Sequence, residues 1–186
     1  MAPRQVPATA ADLAALPGDP RAEVIGGEIT EKASPSAEHG DAQLALGAML
    51  RDGFHRPAGG GPLGGWWLMA EVEIELERHE VYLPDLVGWR RDRVPVRPSG
   101  RPVRDRPDWV CEILSPSNAD RDLVDKLRTY KQNRIPHYWL VDPMARTLLV
   151  YRWTDGGYLA VCTARLGETV HAEPFEAVAL SLGVET

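Results

Sequence analysis

The sequence predicts an α/β fold, a single domain with a mixed central β-sheet flanked by helices. Its 186 residues, 44% of them apolar and 26% charged, have the length and composition of one globular domain. Several short segments show the two-residue periodicity of strands, and two longer segments show helical periodicity. These observations exclude disordered, collagen-like and coiled-coil classes for the chain as a whole.

The first elements are defined by a glycine pair and a helix cap. Gly26-Gly27 adopts positive φ easily and predicts a two-residue hairpin turn. Ser36 is a good N-cap for a long helix, in which Leu46 and Leu50 lie one turn apart. The elements predicted here are helix 9–16, strands 22–25 and 28–32, and helix 36–54.

Strands dominate the remainder of the chain. Between residues 71 and 77, apolar side chains alternate with four glutamates, which predicts a strand with its glutamates facing solvent. Turn residues separate the later segments. The predicted elements are strands 72–76, 81–89, 108–114, 137–141, 147–153 and 158–163, and helix 119–133.

These elements define a core at residues 21–163, with terminal extensions at 1–20 and 164–186. No apolar run approaches the roughly 20 residues of a membrane span, and the N-terminus lacks the apolar stretch of a secretory signal. We therefore expect a cytoplasmic protein without a membrane partner. Cys111 and Cys162 lie alone in apolar segments, which argues against disulfides and a zinc site.

The net charge of −6 means that nucleic-acid binding would require a local basic patch. Residues 90–106 contain seven arginines against two aspartates. This segment predicts contacts with nucleic-acid phosphates, although a solvated loop explains it equally well in a chain with only three lysines. The candidate nucleic-acid-binding residues are Arg90, Arg91, Arg93, Arg97, Arg101 and Arg104.

Two carboxylates interrupt otherwise apolar strand faces. Asp85 shares its predicted face with Val87 and Trp89, and Glu112 lies between Val110 and Leu114. A buried carboxylate without a partner loses hydration at a high cost, so two of them suggest a compensating cation. A strand-edge turn or an arginine partner could explain each residue singly. Together they predict a site for Mg²⁺ or Mn²⁺, which bind one or two carboxylates and keep several waters.

The helix after the second of these strands carries Asp122, Lys126 and Tyr130 along one stripe. An ordinary helical salt bridge would explain this spacing. However, Glu112 lies about 10 Å before the strand end, and Lys126 lies about 9 Å into the helix. If the helix runs back beside the strand, the ammonium and the carboxylate reach the same level.

These residues resemble the PD-(D/E)xK nuclease superfamily, and within it a widespread bacterial family of restriction-endonuclease-like proteins. The resemblance covers residues 21 to 160 and follows the family's motif order. The similar segments are SPSAEH at 34–39, YLPDLVGW at 82–89, RPDWVCEILSPS at 106–117, DLVDKLRTY at 122–130 and IPHYWLVDP at 135–143.

The resemblance implies a restriction-endonuclease-like fold and a metal-dependent endonuclease acting on DNA. It implies that Asp85 and Glu112 hold the ion and that Lys126 acts near the attacking water. The superfamily's usual lysine stands two residues after the acid, where this chain has Leu114. Lys126 therefore takes the role only if the lysine has moved to the following helix. The resemblance further suggests that His39 supports the site, although a core histidine with satisfied hydrogen bonds would explain it equally well. Asp122 and Tyr130 could orient Lys126 or buttress the helix, and we favour buttressing.

Two other functions remain open. A nuclease scaffold could serve as a non-catalytic module that binds nucleic acid or self-associates, although the presence of all three site residues counts against this. A glycoside hydrolase would also use two carboxylates, but without an ion and a lysine beside them. We further expect a homodimer, because superfamily nucleases that cut both strands often pair.

Overall fold

The computed structural model describes residues 6–55, 65–115, 122–165 and 167–181. The helices are α1 (Ala10–Ala14), α2 (Ala37–Phe54) and α3 (Leu127–Gln132), and a π-helical turn at Asp122–Lys126 precedes α3. The strands are β1 (Ala22–Ile25), β2 (Glu28–Glu31), β3 (Trp66–Ala70), β4 (Ile74–Glu77), β5 (Glu80–Tyr82), β6 (Leu86–Arg90), β7 (Trp109–Ile113), β8 (His137–Asp142), β9 (Thr147–Thr154), β10 (Gly157–Arg165), β11 (Thr169–Val170) and β12 (Leu180–Ser181).

Six strands form the central sheet in the order β10-β9-β8-β7-β6-β3. β7 and β8 run parallel, and the other neighbouring strands run antiparallel. A parallel pair needs a crossover connection, which includes the π-helical turn and α3. The predicted α/β fold with a mixed central sheet is therefore confirmed. The predicted start of the third helix, at residue 119, lies outside the described residues.

A smaller sheet, in the order β2-β1-β5-β4, lies beside the central one. The chain passes from the small sheet to the central sheet at residues 83–85, between β5 and β6. The prediction of one continuous strand from 81 to 89 is therefore wrong. Pro84 has no backbone N–H and favours a break at this point. As a result, Asp85 lies immediately before β6 rather than within a strand.

The two faces of the central sheet bury different side chains. On one face, Leu46, Leu50 and Phe54 of α2 pack against Trp109 and other apolar residues. On the opposite face lies the second core, whose fully buried aromatic residues are Tyr82, Trp89, Tyr130 and Tyr138. Alternation along β7 sends Val110 to this second face, and Glu112 follows the same parity.

The two terminal segments also contribute to the cores. Leu13 of α1 packs with Val24 and Val81. Phe175, from the segment after β10, contacts Trp109 edge-on, with ring centroids 5.0 Å apart. The regions treated as extensions thus complete the packing around the predicted core. No helix in these described ranges has the length and apolar character needed to cross a membrane.

The glutamates around β4 differ from the prediction of a solvent-facing row. Of these four glutamates only Glu77 is exposed, whereas Glu73 is buried and its Oε2 accepts a hydrogen bond from Arg101 Nε at 2.7 Å. Glu71 binds Arg21 through both carboxylate oxygens. Distant arginines therefore pair with these carboxylates, and local periodicity does not reveal such partners.

Candidate active site

The two predicted carboxylates lie on neighbouring strands of the central sheet. Asp85 immediately precedes β6, Glu112 lies in β7, and these strands pair through Leu86 and Cys111. The Asp85 side chain is 1% exposed and the Glu112 side chain is 0% exposed. Because charged groups this deeply buried require compensation, their contacts determine what the site can do.

Three groups surround the carboxylate of Asp85. Its Oδ1 accepts a hydrogen bond from Lys32 Nζ at 2.7 Å and lies 3.2 Å from His39 Nε2. Its Oδ2 accepts a hydrogen bond from the backbone N–H of Ile113 at 2.6 Å. Burial alone would raise the pKa of Asp85, but His39 and Lys32 hold this pKa well below its usual range. Asp85 is therefore ionised despite its burial.

Two donors from the following helical segment reach Glu112. The hydroxyl of Tyr130 donates to Glu112 Oε1 at 2.7 Å, and Lys126 Nζ lies 3.1 Å from the same oxygen. Burial and the charge of Glu112 raise the pKa of Tyr130 well above its usual value, so the phenol stays a hydrogen-bond donor. The structure thus brings Lys126 to Glu112, as the comparison of strand and helix lengths predicts.

The β1–β2 hairpin supplies two site residues that sequence reasoning missed. Glu23 Oε1 lies 3.0 Å from Lys126 Nζ and accepts a hydrogen bond from the backbone N–H of Leu83 at 2.8 Å. Lys32 Nζ donates to the carbonyl oxygen of the same Leu83 at 2.6 Å, in addition to Asp85. The hairpin therefore binds both the backbone N–H and the carbonyl oxygen of Leu83, which lies where the chain passes from one sheet to the other.

The charge of Lys32 is stabilised by the whole cluster. Burial lowers the pKa of Lys32, but the carboxylates of Glu112, Asp85 and Glu23 outweigh this effect and raise it. One sequence signal could have revealed this residue. The chain has 18 arginines and three lysines, and two of those lysines, Lys32 and Lys126, meet at one buried site.

The N-terminal half of α2 lies beside Asp85. Ser36 caps the helix by accepting a hydrogen bond from the backbone N–H of His39, which confirms the predicted cap. One turn later, the Gln43 side chain donates to the backbone carbonyl of Asp85 at 2.9 Å. Of the three predicted supporting residues, His39 and Tyr130 reach the site, and the side chain of Asp122 lies outside the described part of the structure.

Most of the candidate nucleic-acid-binding arginines contact other parts of the protein. Arg93 Nε binds the buried carboxylate of Asp108 at 2.7 Å, and Arg91 stacks over the Trp67 ring, with Cζ 3.5 Å from its centroid. Arg97 is exposed. The remaining pairs are Arg90 with Asp92, Arg101 with Glu73 and Asp19, and Arg104 with Glu75. Much of the positive charge of this loop is therefore neutralised within the protein.

The two carboxylates have the chemistry of a partly hydrated magnesium site. Mg²⁺ typically binds one or two protein carboxylates and retains several waters. Asp85 and Glu112 supply these hard oxygen donors on adjacent strands. Within the ranges that the structure describes, no group of three or more His, Cys, Asp or Glu side chains could hold a metal. In sites of this kind, water and substrate oxygens complete the coordination of the ion.

Comparisons with known proteins identify the family of this chain. A family model described as "Uma2: Putative restriction endonuclease" matches residues 10–185. The chain belongs to this family. Membership in the Uma2 family supports a nuclease function and confirms the predicted relationship to PD-(D/E)xK proteins.

A solved structure shares the fold of this Uma2 protein. It is a crystal structure from Anabaena variabilis, described as a "putative nuclease belonging to DUF820". The two structures superpose with a TM-score of 0.71 at 22% sequence identity, over 95% of this chain and 96% of that chain. The match confirms the restriction-endonuclease-like fold. A comparison with curated proteins finds no match.

Proposed function

We propose that this Uma2 protein is a divalent-metal-dependent endonuclease that hydrolyses phosphodiester bonds of DNA. The observation that carries the proposal is the buried constellation of Asp85 and Glu112 on adjacent strands, with Lys126 Nζ 3.1 Å from Glu112. Two carboxylates and an ammonium are the groups needed to bind a metal ion and to stabilise charge on a phosphate. The family description points to DNA as the substrate.

Asp85 and Glu112 would hold Mg²⁺ or Mn²⁺. When bound, the ion supplies Lewis-acid chemistry, which lowers the pKa of a bound water and offsets charge on the phosphate. Lys126 orients the attacking water or stabilises the negative charge that develops on the phosphate oxygens. Glu23 and Tyr130 are positioning residues, because Glu23 holds the ammonium of Lys126 and Tyr130 holds Oε1 of Glu112.

The arginine-rich loop contributes less to DNA binding than its composition implies. Because ion pairs with Asp92, Asp108 and Glu75 occupy other arginines of the loop, the exposed side chains of Arg97 and Arg106 are better placed to meet a phosphate. An arginine that contacts phosphate contributes affinity that falls as salt rises. We therefore propose salt-sensitive, sequence-independent contacts through this loop.

The test is cleavage of supercoiled plasmid, single-stranded DNA and RNA by the full chain, each with Mg²⁺, Mn²⁺ or EDTA. We expect DNA to be cut with either ion and to remain intact in EDTA. Cleavage that persists in EDTA would contradict metal dependence. Cleavage of RNA but not of DNA would contradict the proposal that DNA is the substrate.

A non-catalytic module that binds nucleic acid or self-associates is the second candidate. One observation favours it: each of the two buried carboxylates already contacts a lysine, so both charges are compensated within the protein without a metal ion. This candidate predicts nucleic-acid binding that is equal in Mg²⁺ and EDTA, with no cleavage. Sedimentation at micromolar concentration tests the self-association and the proposed homodimer, and monomer alone would contradict both.

A further inference from the structure

The contacts of Asp85 leave little room for another ligand on one of its oxygens. Oδ1 accepts a hydrogen bond from Lys32 and also faces His39 at 3.2 Å. The Lys32 ammonium, 2.7 Å from Oδ1, carries a positive charge that opposes a metal ion bound to the same oxygen, so an ion can bind Oδ1 directly only if Lys32 withdraws. Oδ2 is already bound to the backbone N–H of Ile113, which the β7 backbone holds in place.

We propose that Lys32 occupies the position on Asp85 Oδ1 that a divalent ion takes, so that metal binding and the Lys32–Asp85 ion pair exclude each other. This inference rests on the proposed metal site. Lys32 directly follows β2, at the end of the hairpin, and its ammonium is carried on a flexible four-carbon side chain. His39, in contrast, is held within the first turn of α2. Lys32 also donates to the carbonyl oxygen of Leu83 at 2.6 Å, so its ammonium keeps a hydrogen-bond partner when it leaves Asp85. Lys32 is therefore the partner that can leave.

The charge of the cluster favours this exchange. Three carboxylates, Glu23, Asp85 and Glu112, share two ammonium groups, those of Lys32 and Lys126. These five groups together carry a net charge of −1. A divalent ion added to the full cluster would reverse the sign of its net charge. An ion that replaces the Lys32 ammonium instead brings the net charge of the buried groups to zero. Buried charge is costly unless it is compensated, so replacement is favoured over addition.

Lys126 has contacts that keep it in place. Its Nζ lies 3.0 Å from Glu23 and 3.1 Å from Glu112, so it retains one carboxylate partner when a metal ion binds the other. The two lysines thus have different roles: Lys126 is the stationary cation of the site, and Lys32 determines how readily the ion enters.

The experiment is a calorimetric Mn²⁺ titration of the full chain without nucleic acid. We expect Lys32→Met, which keeps an unbranched side chain of similar length but removes the charge, to bind Mn²⁺ at least about tenfold more tightly than wild type. Lys131→Met is the matched control, because Lys131 is exposed and lies against Gly157, and it should bind as wild type does. Thermal unfolding of each variant verifies that it is folded. An affinity of Lys32→Met equal to that of wild type would overturn the inference.

A second measurement needs no variant. In a crystal structure of the wild type with Mn²⁺, we expect Lys32 Nζ to lie beyond hydrogen-bond distance of Asp85 Oδ1. Mn²⁺ bound at Asp85 with the ion pair intact would overturn the inference. Wild type could bind Mn²⁺ and cleave DNA while Lys32→Met shows no gain in affinity or the crystal structure keeps the Lys32–Asp85 ion pair. In that case only the proposed role of Lys32 fails. If wild type neither binds Mn²⁺ nor cleaves, the proposed function fails and this inference fails with it.

Discussion

Nζ of Lys126 lies 3.1 Å from Oε1 of Glu112. Glu112 lies in β7, and Lys126 lies in the crossover connection that joins β7 to β8. The contact exists because the helical segment after β7 returns along the same face of the central sheet on which Glu112 lies. Tyr130, one turn after Lys126, donates to the same carboxylate oxygen. One short helical segment thus supplies two donors to a fully buried acid.

Removal of the Lys126 ammonium should destabilise the fold and abolish cleavage. Lys126→Met leaves Glu23 and Glu112 buried without their shared cation, and breaking a buried ion pair in this way costs about 3–5 kcal/mol. Urea unfolding measures this loss, and plasmid nicking measures activity under conditions in which the variant is folded. A folded Lys126→Met with wild-type cleavage would remove Lys126 from the mechanism.

A comparison of Tyr130 with Tyr158 tests whether Tyr130 acts in the site or contributes only to packing. Tyr130→Phe removes the hydroxyl that donates to Glu112, whereas Tyr158→Phe removes one that donates to the carbonyl of Ile135 at 2.9 Å. Each change should cost about 1–3 kcal/mol of stability, because each leaves an acceptor without that donor. Only Tyr130→Phe should reduce the cleavage rate and metal affinity. Equal effects of both changes on cleavage would mean that Tyr130 serves only the fold.

Asp85 should make stability depend on pH in the acid range. Its pKa in the folded protein lies below that of an unfolded aspartate, which is about 3.9. The unfolded chain therefore binds more protons as pH falls, and the stabilisation present above about pH 5 is lost progressively below pH 4. Urea unfolding at pH 7, 5, 4 and 3 should show a flatter profile for Asp85→Asn than for wild type. Parallel profiles would show that Asp85 contributes nothing to acid sensitivity.

Arg93 should contribute to the stability of the fold, and Arg97 should contribute to DNA affinity. Arg93→Ala leaves the buried carboxylate of Asp108 without its bidentate partner, and we expect a loss of about 1–3 kcal/mol in urea unfolding. Arg97→Ala should change stability by less than about 0.5 kcal/mol, because the side chain is exposed. In DNA binding, Arg97→Ala should weaken affinity and reduce its salt dependence. Unchanged DNA affinity would contradict the proposed phosphate contact.

Local sequence features predicted much of the fold. Gly26-Gly27 predicted the first hairpin, Ser36 predicted the start of α2, and alternation along β7 placed Glu112 on the correct face. These predictions succeeded because turns, caps and strand parity depend on residues close in sequence. Pro84 was the local signal that strand 81–89 ends early, and the apolar alternation around it hid the change of sheet.

The missing part of the site depends on contacts between distant residues. Lys32 binds a carboxylate 53 positions away, and Glu23 binds the backbone of a residue 60 positions away. No periodicity connects such residues, since the small sheet forms only when β1 and β5 pair. For the same reason the arginine-rich loop was misleading, because its composition does not show that Arg93 is paired with Asp108.

The central claim is that Asp85 and Glu112 together hold a metal ion that is required for DNA cleavage. The most direct measurement is nicking of supercoiled plasmid by wild type, Asp85→Asn and Glu112→Gln, each in Mg²⁺ and in EDTA and each verified as folded by circular dichroism. We predict cleavage by wild type in Mg²⁺ only, with both variants reduced by at least about a hundredfold. Cleavage by either folded variant at the wild-type rate, or by wild type in EDTA, would contradict the account.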